Sequence, residues 1–128
     1  MARWRWHVWT IYVIAWTIAL LFPIQPRTGE HHIDEAILPF RYAVAKTVHV
    51  GAYAVMTILT GWLNVPIRYR FMLVFFLMVH GTLTELGQFG MRQLQISERN
   101  GDLPDVGFDN LGILLGLYVS RKWWMREP

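Results

Sequence analysis

Four apolar runs separated by polar stretches organise the chain. The first, residues 6–22, ends at Pro23 and Pro26, where a helix cannot readily continue. At about 1.5 Å of rise per residue it reaches roughly 25 Å, enough for one membrane span. The second covers residues 46–63, and Asn64, Pro66 and Arg68 then form a short turn, which predicts an antiparallel neighbour. The third, residues 71–90, is apolar in its first half and carries His80, Thr82, Thr84, Glu85 and Gln88 in its second. Asn100-Gly101 and Pro104 mark a polar loop over residues 91–104. The fourth run, residues 105–120, ends in the basic-aromatic stretch Arg121, Lys122, Trp123 and Trp124. Between the first two runs, residues 27–45 form a polar connector. Its short amphipathic piece, Ile33, Ile37, Leu38 and Phe40, suits an interface. The predicted fold is an all-α membrane protein, a compact antiparallel bundle of about four transmembrane helices in one domain over residues 1–128.

In such a bundle the start of the second run, the end of the third and the start of the fourth lie on one side of the membrane, and the polar residues gather at those ends. With about 100° per residue, Lys46, His49 and Tyr53 fall within about 60° of one another. Met78, Gly81, Glu85 and Gln88 form one stripe, and Asp105, Asp109, Gly112 and Gly116 another. Gly112-x-x-x-Gly116 permits close helix approach, so the fourth helix is expected to press its glycine face inward and carry both aspartates with it. Ionisable groups at membrane depth are expensive and mark either a site or an internal pairing. The candidate ligand-binding set is Lys46, His49, Tyr53, Glu85, Gln88, Arg99, Asp105 and Asp109, with Glu85, His49 and Asp105 the candidates for acid–base chemistry. An ion-pair cluster that only holds three helix ends together uses the same residues. His80 lies about 140° from Glu85 around the helix, and is set apart from the site.

Composition supports the membrane assignment. The chain is 54% hydrophobic and 16% charged, against roughly 25% charged in soluble domains. Several of the seven Trp fall near run ends, where indoles favour the interface. The net charge of +3 comes from Arg and Lys flanking the runs, so topology and anionic lipid explain it and nucleic acid is not an expected partner. Arg3, Arg5, Arg68, Arg70, Arg121, Lys122 and Arg126 fall on one side; Arg27, Arg41, Lys46, Arg92 and Arg99 fall on the other. The larger basic total predicts N-in, C-in, with the polar cluster near the outer leaflet. The first run reads as a retained helix: it is long, Trp interrupts it, and no A-x-A-like site follows. The absence of cysteine excludes disulfides, thiolate metal sites and a cysteine nucleophile. His31-His32-x-Asp34-Glu35 reads as a solvated loop, and no metal or cofactor is expected. No Walker loop, HExxH or supported Ser-His-Asp arrangement is present.

In this order and spacing the polar residues resemble the VanZ-like family of small bacterial membrane proteins, over about residues 46–116. The family pattern has a Lys and a His opening a helix with a Tyr one turn on, matched by Lys46, His49 and Tyr53. Glu85-x-x-Gln88 matches the next element, and Arg99, six residues before Asp105, the next. The usual close, Asp-x-x-x-Asn-x-x-Gly-x-x-x-Gly, reads here as Asp105, Asp109, Gly112 and Gly116. Asp109 replaces the usual Asn, and Asn110 is out of register by one. The extra carboxylate calls for a second cation, a shared proton or a ligand. The family is named for an accessory protein linked to teicoplanin resistance, and the resemblance implies membrane helices with a polar cluster rather than a reaction. The expected function is to bind the polar head of an envelope lipid or cell-wall precursor in the bacterial plasma membrane, with Lys46 and Arg99 on phosphate or carboxylate. A membrane enzyme acting on such a lipid, an ion-coupled carrier and a structural or assembly protein are the alternatives. Self-association is left open.

Overall fold

The computed structural model describes residues 3–22, 38–97, 101 and 103–126. Its helices are α1 (Arg3–Leu21), α2 (Leu38–Trp62), α3 (Ile67–Gln93), α4 (Leu103–Val119) and the short α5 (Arg121–Trp124), and the described residues include no strand. Helix α2 starts well before the apolar run that announced it. Pro39 stands in its first turn, where a missing N–H costs nothing, so Lys46 lies two turns inside the helix. Leu38 and Phe40 therefore belong to α2, while Ile33, Ile37 and the His31-His32 motif lie outside the described residues. Pro66 precedes α3 with φ −50° and ψ 140°, and Asn64 turns the chain at φ 54°, a conformation Asn tolerates better than most residues.

The helices run up and down. At one end Lys46 of α2 pairs with Asp105 of α4, and Gln88 near the end of α3 reaches Leu20 near the end of α1. At the other, Arg5 of α1 donates to the Trp62 carbonyl that ends α2, and Arg70 of α3 donates to the carbonyls of Trp124 and Arg126 beyond α4. Around the bundle the order is α1, α2, α4, α3. The most extensive contact is between α2 and α4, and α2 touches α3 far less, although a short turn joins them. The glycines explain this. A Cβ on Gly112 would strike the Val50 carbonyl and sit 2.9 Å from Tyr53 Cβ; one on Gly116 would sit 2.6 Å from the Ala54 oxygen. Without those side chains the α4 backbone lies directly against α2.

The distribution of polarity is inverted relative to a soluble domain. Lys46, Glu85, Gln88, Asp105 and Asp109 are buried, while Ile11, Ile18, Phe71, Phe75, Leu83, Leu86, Leu111 and Leu114 are exposed. A small apolar core of Val13, Leu20, Met56, Leu77 and Ile113 surrounds Tyr53. Within α2 and α3 lie segments long and apolar enough to cross a membrane, Pro39–Trp62 and Ile67–Gln93, and only 33% and 28% of their most apolar windows are buried. A core helix of a soluble protein would be mostly buried.

Candidate functional site

The site begins with the Lys46–Asp105 ion pair. Asp105 stands in the first turn of α4, where the helix dipole favours a carboxylate. The Lys46 ammonium also lies 4.7 Å from the Tyr42 ring centroid and 5.8 Å from that of Phe108, a distance at which aromatic faces attract a cation. Lys46 is thus held by a carboxylate and two rings rather than free to extend into water.

One turn along α2, His49 donates from Nδ1 to Asp109 Oδ1 at 2.9 Å. The same nitrogen is 3.9 Å from Glu85 Oε1, too far for a hydrogen bond but close for a charge. The Trp16 ring from α1 meets the His49 ring edge to face at 6.2 Å. Asp109 is only 1% exposed, and its Oδ2 has no hydrogen-bond partner among the described residues. That oxygen lies where a side chain on Gly81 would be, 3.1 Å from the position of a Cβ, so the glycine of α3 makes room for the aspartate of α4. Gly101 packs against the Glu85 carbonyl and Phe89, laying the end of the last loop on α3 beside the cluster. Arg99 lies outside the described residues.

The structure therefore brings together Lys46, His49, Glu85, Asp105 and Asp109. It places two other candidates differently. Gln88, 3% exposed, donates from Nε2 to the Leu20 carbonyl at 3.0 Å, satisfying one of the acceptors left over at the end of α1. Tyr53 is fully buried and its hydroxyl lies 2.9 Å from His80 Nδ1. His80 Nε2 lies 2.7 Å from Thr17 Oγ1. The Thr17 proton goes to the Val13 carbonyl at 2.7 Å, so its oxygen accepts from His80 Nε2–H. In a neutral ring Nδ1 then accepts from the Tyr53 hydroxyl. His80 and Thr17 thus join the polar network through Tyr53, although His80 is angularly remote from Glu85. Helix α3 has two inward faces, one toward α4 and one toward α1, and the tyrosine reaches the second. The signal was in the sequence: a buried phenol needs a partner, and His80 is the titratable residue of α3 at the matching depth.

Three carboxylates face one lysine and one histidine among the described residues. Ligand atoms of His49, Glu85 and Asp105 lie within 4.8 Å of one another, and among the described residues these are the ones that could hold a metal ion; a cation there would have to displace the Lys46 ammonium from Asp105. Chemically, the cluster offers carboxylate acceptors for amine, hydroxyl or amide donors, and an imidazole between two carboxylates that could carry a proton. Comparison with protein-family models, with curated proteins and with solved structures finds no match to this chain.

Proposed function

We propose that this chain is a VanZ-like, multi-pass protein of the bacterial plasma membrane, oriented N-in and C-in, whose buried cluster binds the polar head of an envelope lipid or cell-wall precursor. In this proposal all four long helices cross the bilayer. Helices α1 and α4, of 19 and 17 residues, reach roughly 28 and 25 Å at 1.5 Å per residue, the length of a short span. The observation that carries the function is Asp109 Oδ2, buried at one end of a bundle with an apolar exterior and without a donor among the described residues. A buried carboxylate oxygen without a donor is costly, and a donor on a bound head group relieves that cost. Because Lys46 is committed to Asp105, the cluster is better matched to the amine, hydroxyls or amides of a head group than to its phosphate. A groove of about 230 Å³ between α1 and α3, lined by Leu21, Phe76, Val79, Leu83, Thr84 and His80 among others, gives an acyl chain a place to lie beside it.

Native mass spectrometry of the protein in mild detergent tests this, with Asp109→Asn and Glu85→Gln alongside. A discrete lipid or precursor retained by the parent chain and lost from both folded variants supports a binding site. The internal pairing of Lys46 with Asp105 and of His49 with Asp109 favours a second function for the cluster, a purely structural clamp between helix ends. No retained species, together with sharply lower thermal stability in both variants, assigns the cluster to that clamp. The acid–base alternative rests on His49 lying between Asp109 and Glu85; it requires turnover of a candidate lipid that disappears in Glu85→Gln.

A further inference from the structure

A second cavity lies at the opposite, basic end of the bundle. It has a volume of about 330 Å³ and is lined by Arg5, Gly61, Trp62, Asn64, Trp123 and Arg126. That is the lower end of the range for small-ligand pockets, too small for a whole lipid and adequate for a head group. Two arginines line it and, among the described residues, no acidic residue does. The ion pairs among the described residues all lie at the other end.

The local structure holds these groups in position. Arg5 donates from Nη1 to the Trp62 carbonyl at 3.0 Å and lies 4.9 Å from the Trp62 ring centroid. Its Nε is buried without a hydrogen-bond partner among the described residues. The far wall is fixed by Arg70, a buried arginine that spends its guanidinium on the carbonyls of Trp124 and Arg126. Trp124 docks against α2 at Gly61, where a Cβ would lie 2.9 Å from its Cδ1, and donates from Nε1 to Ser120 Oγ at 3.0 Å. Trp123 and Arg126 are therefore presented to the cavity by an anchored segment. Guanidinium forks match phosphate oxygens in pairs, and the indole N–H of Trp and the amide N–H of Asn are further donors.

We infer that this cavity is a binding site for a phosphate-bearing anion, the head group of an anionic lipid or a free phosphate. The site is separate from the carboxylate cluster, and its test uses different residues. The protein would be reconstituted in nanodiscs of phosphatidylcholine alone or mixed with phosphatidylglycerol, and held separately in detergent with inorganic phosphate. Retained lipid would be read by native mass spectrometry, and phosphate binding by thermal stabilisation. Arg126→Gln keeps the main-chain carbonyl that Arg70 holds, so the fold is retained; Arg5→Gln removes the other wall. Lys122→Gln, an exposed position outside the lining, removes the same charge. The expected result is selective retention of phosphatidylglycerol, weakened about tenfold by Arg126→Gln and left intact by Lys122→Gln. Stabilisation by inorganic phosphate that Arg126→Gln abolishes supports the same site with a free anion as its ligand. Equal weakening by Lys122→Gln and Arg126→Gln overturns the inference, because diffuse charge then explains the binding. So does failure of both phosphatidylglycerol and phosphate to bind.

Discussion

Lys46 and Asp105 are each less than one-tenth exposed and paired with one another, so neither can lose its partner without leaving a buried charge uncompensated. Lys46→Met is expected to destabilise the bundle by about 3–5 kcal/mol, and the double variant Lys46→Met, Asp105→Leu to recover most of that loss. Unfolding in graded sodium dodecyl sulfate for the two single variants and the double variant gives the coupling directly, and additive losses would deny the pair its structural weight. Asp109 calls for the opposite expectation. Asn retains an oxygen to accept from His49 Nδ1 while removing the charge on Oδ2, so Asp109→Asn is expected to leave the thermal midpoint unchanged or raise it. A fall of several degrees would mean that the carboxylate answers a cation and does not await a ligand. At this scale the sequence disclosed which residues share a face but not what each side chain touches. Helical angles brought Lys46, His49, Glu85, Asp105 and Asp109 together because all five point along the α2–α3–α4 seam. They did not show that Gln88 meets a carbonyl of α1, because its reach depends on where α1 ends. They also dropped His80, because angles on α3 say nothing of the length of a tyrosine on α2.

At the level of helices, the packing of α4 on α2 depends on two missing side chains. Gly112→Ala would drive a methyl into the Val50 carbonyl, and Gly116→Ala would bring one within 2.6 Å of both the Ala54 oxygen and Thr57 Cβ. Backbone atoms cannot swing aside, so each substitution is expected to cost about 1–3 kcal/mol. Gly51 and Gly107 also lie within helices, yet a Cβ there would meet nothing within 4 Å. Alanine at these two positions is expected to be neutral or to stabilise by up to about 1 kcal/mol, the gain in helix propensity over glycine. The four variants form one experiment. Equal effects at all four positions would show that α4 does not lie on α2 in the way described. The glycine stripe was legible in the sequence because its spacing repeats once per helical turn. The partner it selects was not, since a short turn between α2 and α3 suggests that those two lie side by side. Close backbone contact prevailed over adjacency in sequence. The start of α2 was hidden for a related reason: apolarity marks where a helix enters an apolar setting, and Pro39 and Arg41 allow the helix to begin earlier without being apolar.

For the whole molecule, the proposed four-span topology is testable, because the charge pattern and the contacts make it distinguishable from a topology in which only α2 and α3 span. If all four long helices span, Arg68 in the first turn of α3 and Met125 beyond α5 share a side, and Leu94 at the end of α3 lies on the other. If only α2 and α3 span, the segment after α3 never returns through the membrane, and Met125 lies on the same side as Leu94. Because the chain contains no cysteine, single cysteines can be introduced without a background. Met125 and Leu94 are 79% and 73% exposed, so neither substitution disturbs packing. In intact cells a membrane-impermeant maleimide is expected to label Leu94→Cys and spare Arg68→Cys and Met125→Cys, with all three labelled after permeabilisation. Labelling of Met125→Cys together with Leu94→Cys would reduce the protein to two spans and leave α1 and α4 at the surface. Labelling of Arg68→Cys and Met125→Cys with protection of Leu94→Cys would keep four spans but invert them. The carboxylate cluster would then face the cytoplasm, and its ligand would have to be sought among inner-leaflet lipids and not among outward-facing cell-wall precursors. The basic cavity would face outward in that case, away from the anionic inner leaflet that Arg5 and Arg126 are best suited to meet. One set of three labels thus decides which leaflet supplies each site.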